Sequence, residues 1–368
     1  FERFSSDIGD QIGYKDRTQQ LDWADKHGIA GRLSTMVDGM FITYTLENPV
    51  VWENFQEHIE QVIKNNRNHP SVIVYSLENE LLMINGTCIH GPQEMDKIED
   101  SAYKYLAIPA KNLDPTRPTM LDGGGALKNQ TLDICNTHYN EDGFHPDNAY
   151  PIDKILSRDR WTWDMKRPYC AGEIAYFAGN NSDHAWIGGE MAMSGKTGAL
   201  KSYAKYLKYL LERYRWNDVA MTCPWASQDN TDECWSAMSD LAAFTREYNS
   251  SFYSGQSISR TVKVFNDTFS SEPVIFKWTV TANGKSIASE TKTLQIEPGF
   301  NQQLTIEFKA PKVTNRVNGQ LILEVTQKGK AKPFKEIKRI IFFPHVCGLA
   351  IKRPVYLFGA SAQLSKTL

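Results

Sequence analysis

Hydrophobic positions in the first two-thirds of the chain alternate between helical spacing and short apolar runs. Residues 50–65 place Val51 and Phe55 on one helical face, and Pro70 prevents the helix from continuing. The following run, 71–77, is apolar at nearly every position, which is typical of a strand buried on both faces of a parallel sheet. The same alternation predicts helices at 17–27, 96–113 and 199–214, and strands at 28–37, 119–122, 133–139, 168–174 and 219–225.

The pattern changes after Tyr253, where helical spacing gives way to alternation of apolar and polar residues. Residues 274–280 are an example, and Asn283-Gly and Asn318-Gly are turn signals between such runs. We therefore expect an α/β protein with an added all-β domain, in which short strands separated by helices form a parallel sheet. The predicted domains are a barrel at 1–253, an immunoglobulin-like β-sandwich at 254–345, and a C-terminal tail or truncated segment at 346–368.

Composition and charge narrow the class of protein further. Lys+Arg is 41 and Asp+Glu is 43, which gives a formal net charge of −2 and no basic surface for nucleic acid or an anionic membrane. The six cysteines form no C-x-x-C pair and are expected to be buried thiols. The sequence leaves the compartment open, with a periplasmic or secreted location favoured over the cytoplasm.

Two glutamates stand at the carboxyl ends of predicted buried strands. One strand ends in Asn79-Glu80, and another, Arg167-Pro-Tyr-Cys-Ala-Gly-Glu173, ends in Glu173. In a barrel of alternating strands and helices, side chains at these strand ends face the active site. Two carboxylates across such a barrel can flank one glycosidic bond, with one protonating the leaving oxygen and the other attacking the sugar or activating water.

The residues around the first glutamate resemble a known family. Asn68-His-Pro-Ser-Val followed by Asn79-Glu80 is similar to the catalytic barrel of glycoside hydrolase family 2, the β-galactosidase, β-glucuronidase and β-mannosidase group. Asp114-Pro-Thr-Arg-Pro resembles that family's segment before the fifth barrel strand, and the likeness extends from about residue 17 to 230. The resemblance implies a (β/α)8 TIM barrel and a retaining, exo-acting β-glycosidase, most similar to a β-galactosidase, with a terminal β-glycoside as its substrate.

The resemblance also implies roles for single residues. Glu80 matches the general acid/base and Glu173 the nucleophile, while Asn79 matches the residue that hydrogen-bonds the sugar 2-hydroxyl. Tyr139 matches the tyrosine that hydrogen-bonds the nucleophile, and Trp225 the tryptophan that packs on the sugar. No cofactor is expected apart from a family-typical divalent ion, for which the sequence identifies no ligands.

Glu78 and His138, which are next to these residues in sequence, are candidates for substrate contact, and each has an alternative role. Glu78 stands where the family usually has a small residue. It either contacts solvent or an arginine, or adds negative charge to the pocket and disfavours a uronic acid. His138 either lines the sugar pocket or is structural.

The start of the chain departs from the family. Residues 28–37 resemble the third barrel strand, so the first two strands are expected to be missing, and the chain to be part of a longer polypeptide, a homo-oligomer or a barrel completed by another segment. Two other functions remain open. One is a related barrel glycosidase that acts within polysaccharide chains, and the other is a non-catalytic carbohydrate-binding or structural module.

Overall fold

The chain divides into two units, Phe1–Ser239 and Asp240–Leu368. The division lies before the expected boundary at 253, because the strands Leu241–Thr245 and Ser251–Tyr253 pair with strands of the second unit. The predicted tail, 346–368, lies outside the described residues. The computed structural model describes residues 2–4, 14–35, 37–39, 46–82, 84–85, 92–124, 132–138, 163, 165–175, 187–224, 234, 236–329 and 332–345.

The first unit alternates strands and helices along the chain. Its strands are β1 Glu2–Phe4, β2 Gly31–Ser34, β3 Val72–Asn79, β4 Thr119–Asp122, β5 Cys135–His138, β6 Tyr169–Ile174 and β7 Met221–Pro224. Its helices are α1 Tyr14–His27, α2 Pro49–Asn66, α3 Pro92–Ala102, α4 Ile108–Leu113 and α5 Lys196–Trp216. A π-helical turn, Tyr103–Ala107, joins α3 to α4 within the single helix that the sequence predicted. The strand expected at 119–122 is confirmed with the same bounds.

The strands of this unit are parallel and follow one another in chain order. One sheet has the order β1-β2-β3-β4 and a second the order β5-β6-β7. The two sheets meet where the Ile134 amide, next to β5, donates to the Thr119 carbonyl of β4 at 3.3 Å. This sequential parallel order, with helices as crossovers, is that of a (β/α)8 barrel.

The expectation that the first two barrel strands are missing is wrong for one of them. Glu2–Phe4 pairs in parallel with β2, with Glu2 opposite Gly31 and Phe4 opposite Leu33. Sequence patterning does not reveal this strand, because three residues that include Glu2 and Arg3 form no apolar run.

A buried arginine shows that the sheet curves around an interior. Arg32 on β2 reaches β6, where its Nη2 donates to the Gly172 carbonyl at 2.9 Å, although three strands lie between β2 and β6 in chain order. A flat sheet would separate these strands by about 4.8 Å for each step, so the contact requires curvature.

The helices cover the outer face of this curved sheet. α2 begins after Asn48, whose side chain accepts from the Val50 amide at 3.0 Å, and Pro49 is compatible with the first helical turn. Its buried face includes Trp52 and Ile59. Burial of each such side chain contributes roughly 1.5–3 kcal/mol. The residues packed in this core include Leu21, Ala24, Trp52, Ile59, Ile63, Val72, Leu77, Leu106 and Ala110.

The second unit consists of two sheets. Its strands are β8 Leu241–Thr245, β9 Ser251–Tyr253, β10 Ser257–Asn266, β11 Val274–Ala282, β12 Lys285–Leu294, β13 Phe300–Lys309, β14 Val317–Gln327 and β15 Phe334–Phe343. The sheets have the orders β13-β10-β8 and β12-β11-β14-β15-β9, and all pairs are antiparallel except β15 with β9. Phe244 of β8 contacts Phe334 of β15 across the two sheets, with ring centroids 5.9 Å apart. The sheets therefore pack face to face.

One turn prediction in this unit is confirmed and another is wrong. Asn283 and Gly284 connect β11 to β12, and both have positive φ, as a two-residue hairpin turn requires. Asn318 and Gly319 lie inside β14 instead. A Cβ at Gly319 would lie 2.3 Å from the Thr281 carbonyl oxygen, so glycine at this position allows β14 and β11 to approach each other closely.

Within the described part of the chain, the helices fall short of the length and apolar character needed to cross a membrane.

Candidate active site

Four consecutive strands of the first unit deliver ionisable side chains to one edge of the sheet. Glu80 follows β3, Asp122 ends β4, His138 ends β5 and Glu173 lies near the end of β6. Since parallel strands end at the same edge, the fold brings together residues that are far apart in sequence. All four residues are buried.

The backbone turns sharply at Glu80. Its φ is +54°, a left-handed conformation that is uncommon outside glycine, and its amide donates to the Asp122 carbonyl at 2.7 Å. A Cβ at Gly39 would lie 2.4 Å from the Glu80 carbonyl oxygen, so glycine at this position permits the close approach of the two segments. The turn re-aims the Glu80 side chain at the end of β3.

His138 lies between three carboxylates. Its Nδ1 is 2.7 Å from Glu80 Oε1 and 3.6 Å from Glu173 Oε2, and its Nε2 is 2.8 Å from Asp122 Oδ1. The ring is fully buried. His138 therefore connects the two candidate catalytic glutamates, and its roles in lining the sugar pocket or in supporting the structure stay predictions.

Arg32 and Asp122 form a buried ion pair behind His138. Arg32 Nη1 is 2.8 Å from Asp122 Oδ2, and both side chains are 0% exposed. A Cβ at Gly172 would lie 2.2 Å from Asp122 Oδ1, so glycine on β6 leaves the space that this carboxylate occupies. Burying two charges is costly unless they are well paired, and the contact of Arg32 with the Gly172 carbonyl adds to the pairing.

The surroundings of His138 favour its charged form. Burial of the ring lowers the pKa of His138, but the charge and hydrogen bond of Asp122, the hydrogen bond of Glu80 and the charge of Glu173 together outweigh burial and raise the pKa to about 9. The imidazolium then donates from both nitrogen atoms.

The two glutamates are close to each other. Glu80, His138 and Glu173 each place one potential ligand atom so that all lie within 4.8 Å of one another, which includes a carboxylate oxygen of each glutamate. To bind a divalent ion, His138 would have to give up the proton between Nδ1 and Glu80, because Nδ1 faces Glu80 and Nε2 faces Asp122.

Asn79 and Glu78 differ in their access to the site. Asn79 is partly exposed, and its Nδ2 donates to Asp38 Oδ2 at 2.9 Å, which fixes the orientation of the amide. Glu78 is 1% exposed and accepts a hydrogen bond from the Leu81 amide. Burial raises the pKa of Glu78 well above its ordinary value. The alternative that Glu78 contacts solvent is therefore wrong, because the buried side chain caps the turn beneath Glu80.

Two of the predicted site residues, Tyr139 and Trp225, lie outside the described residues. Sequence reasoning missed two residues that hold the site together, Arg32 and Asp122. Asp122 ends a buried strand, as Glu80 and Glu173 do, and the same rule would have selected it. Arg32 interrupts a short strand that is buried throughout, and a charge in such a strand needs a partner.

Comparisons with known proteins agree on the character of the first unit. A model of the family described as glycosyl hydrolases family 2, TIM barrel domain, matches residues 13–225. Curated relatives include Beta-galactosidase 2 of Enterobacter cloacae, 27% identical over 295 residues, with 69% of this chain and 25% of the relative covered. Beta-galactosidase of Alteromonas mediterranea is 29% identical over 174 residues, with 46% of this chain and 15% of the relative covered.

The chain thus spans a quarter or less of the length of these two curated relatives. A solved structure, the β-D-mannosidase from Dictyoglomus thermophilum, has a TM-score of 0.53 at 15% identity and covers 86% of this chain and 44% of that chain. At this identity the likeness concerns the fold alone.

Proposed function

Because the chain belongs to glycosyl hydrolase family 2, we propose that it is the catalytic part of a retaining, exo-acting β-glycosidase. One observation carries the mechanism: a carboxylate oxygen of Glu80 and one of Glu173 lie within 4.8 Å of each other at the strand ends. Retaining enzymes hold their carboxyl groups about 5–5.5 Å apart, whereas inverting enzymes need about 6.5–9.5 Å to admit a water molecule.

In the proposed mechanism the two glutamates have different tasks. Glu80 protonates the leaving oxygen while Glu173 attacks the anomeric carbon, and Glu80 then removes a proton from the water that releases the sugar. Asn79, held by Asp38, is the proposed donor to the sugar 2-hydroxyl. Tyr139 and Trp225 keep the roles that the resemblance implies, as a partner of the nucleophile and a platform for the sugar.

The proposed sugar is galactose, because the two curated relatives described above are both named beta-galactosidases. The test is a panel of aryl β-glycosides with the polypeptide that contains this chain in full. Preferred cleavage of the β-galactoside would support this assignment, whereas preferred cleavage of another aryl glycoside would assign a different sugar as the substrate. Cleavage of internal polysaccharide bonds alone would favour an endo-acting enzyme, and sugar binding without cleavage would favour a non-catalytic module.

The roles of the two glutamates are tested by removal and chemical rescue. We predict that Glu173→Ala lowers turnover by more than about 10⁴-fold and that azide restores it, with an α-glycosyl azide as the product. Glu53→Ala, at an exposed position on α2, is the matched control and should retain full activity. A β-glycosyl azide from the Glu173 variant would contradict its role as nucleophile.

Glu80→Ala should give a different pattern. Substrates with good leaving groups need little protonation, so their glycosylation should persist while the release of the sugar becomes rate-limiting. Azide should then yield a β-glycosyl azide. An equal loss for good and poor leaving groups, with no rescue, would contradict the acid/base role.

We also infer that the second unit is an immunoglobulin-like sandwich. The sheet orders β13-β10-β8 and β12-β11-β14-β15-β9 correspond to strands E-B-A and C′-C-F-G with an added strand beside G. A different strand order in either sheet would overturn this inference.

A further inference from the structure

His138 and Glu80 have to share one proton. At 2.7 Å, the lone pair of an imidazole nitrogen cannot face a carboxylate oxygen without a proton between them, and the same holds for Nε2 and Asp122 at 2.8 Å. The proton on Nε2 is directed to Asp122, whose charge Arg32 balances. The proton between the ring and Glu80 can lie on His138 Nδ1 or on Glu80 Oε1, and the hydrogen bond is satisfied in both cases.

This inference rests on the proposed glycosidase function. We propose that His138 is a positioning residue that holds the catalytic proton, which moves from Nδ1 to Glu80 before Glu80 donates it to the leaving group. The transfer leaves a neutral ring with Nε2–H still directed to Asp122, and a Glu80 carboxylic acid. The C1–O bond of the substrate then breaks as the leaving oxygen takes the proton and Glu173 bonds to C1.

In the glycosyl-enzyme no proton lies between Nδ1 and Glu80, so the Glu80 carboxylate turns from the ring to the incoming water. The second half of the reaction restores the proton. Water attacks C1, the bond from C1 to Glu173 breaks, and Glu80 takes a proton from the water. That proton passes back to His138 Nδ1, so no proton is gained or lost by the site over one cycle. The couple thus allows a buried glutamate to serve as an acid in one step and as a base in the next.

The surrounding charges suit this arrangement. The Arg32–Asp122 pair is neutral as a unit, and the raised pKa of His138, about 9, means that the couple keeps its proton through neutral pH. Glu173 Oε2 lies 3.6 Å from Nδ1, so the positive ring stands next to the proposed nucleophile. Among the residues that the structure describes, the titratable and charged groups near the ring include Glu80 after β3, Glu78 on β3, Asp122 on β4, Glu173 on β6 and Arg32 on β2.

The kinetic test compares His138→Gln with the unaltered full-length polypeptide over pH 5–10. With an aryl β-glycoside that has a poor leaving group, the alkaline limb of kcat/KM should lie near pH 9 in the unaltered protein. In the variant the limb should move to lower pH by more than about one unit, and kcat/KM at pH 8 should fall by roughly 10–100-fold. A dinitrophenyl glycoside, which needs little protonation, should lose less than about threefold.

The matched control is His69→Gln. His69 also pairs with an aspartate, Asp25, at 2.7 Å, but it lies outside the site. Its substitution should leave the alkaline limb in place. An unmoved limb in His138→Gln, or an equal loss for both leaving groups, would overturn the inference.

A second measurement does not depend on activity. With ¹⁵N-labelled histidine, the His138 signal, assigned by its loss in His138→Gln, should show both ring nitrogens protonated at pH 7 and a midpoint near 9. Glu80→Gln should lower that midpoint. A neutral ring at pH 7, or a midpoint that Glu80→Gln leaves unchanged, overturns the shared proton. If these signals behave as expected but no glycoside is cleaved, the proposed function fails while the His138–Glu80 couple stands.

Discussion

Both units of the protein bury a set of hydrogen-bonded polar side chains, but the first set is ionised and the second is neutral. In the barrel unit, Arg32, Asp122 and His138 carry charge. In the sandwich, Thr268 Oγ1 donates to Asn266 Oδ1 at 2.6 Å, and Asn266 Nδ2 donates to the Ile296 carbonyl at 2.7 Å. The neutral set can only hold its loop in place, whereas the charged set can also move a proton.

The difference follows from where each set lies. The charged residues stand at the carboxyl ends of parallel strands, where four strand ends converge on a site. The neutral residues lie where β10 ends and the chain crosses to β11, with Gln327 of β14 donating to the Glu272 carbonyl at 2.7 Å. Buried amide and hydroxyl groups satisfy backbone groups there at a much lower desolvation cost than charges.

Removing one partner from each set should show the difference between the charged set and the neutral set most clearly. Arg32→Met removes one of the two cationic side chains that contact the buried Asp122 carboxylate and leaves His138 as the other. We predict a loss of roughly 3–5 kcal/mol in the free energy of unfolding of the barrel unit. Asn266→Ala should cost the sandwich roughly 1–3 kcal/mol, because only neutral groups lose their partners. Urea unfolding followed by amide hydrogen exchange measures each unit separately. Equal losses in the two units would contradict the comparison.

The pH dependence of stability sharpens the same contrast. The folded-state pKa of His138 is raised from 6.5 to about 9, so its contribution is fully present below pH 6.5 and is lost as the pH rises through about 9. We predict that the barrel unit loses up to about 3 kcal/mol over this interval from His138. The neutral sandwich set should contribute no such slope. In His138→Gln this part of the slope should vanish, and its persistence would assign it to another group.

The smallest effect is expected at Glu78. Because burial raises its pKa, the side chain favours its neutral form in the folded state, and Glu78→Gln keeps an acceptor for the Leu81 amide. We predict a change in stability within about 1 kcal/mol and activity close to that of the unaltered protein. Glu80→Gln, two residues further on, is the contrasting variant and should lose acid catalysis. A large loss in Glu78→Gln would place this residue among the groups that act on substrate.

The sequence by itself determined most strands of the barrel unit and selected the candidate acid/base and nucleophile. Apolar runs such as 71–77 and the strand at Thr119–Asp122 are local patterns, and burial on both faces leaves few alternatives to a parallel strand. Glu80 and Glu173 could be selected because the end of a strand is itself visible in the sequence. The change to alternating residues likewise revealed the second unit, although not its start at Asp240.

Only the tertiary structure decided how these residues are joined. Arg32 reaches Gly172 on another strand, and His138 meets Glu80, because the sheet curves and brings distant segments within 3 Å. No local pattern encodes such contacts, since hydrophobic spacing reports which face of an element is buried but not which charge it meets there. The burial of Glu78 and the pairing of Glu2–Phe4 with β2 depend on the same long-range packing. The protonation of the site is therefore a property of the folded barrel and not of any single segment.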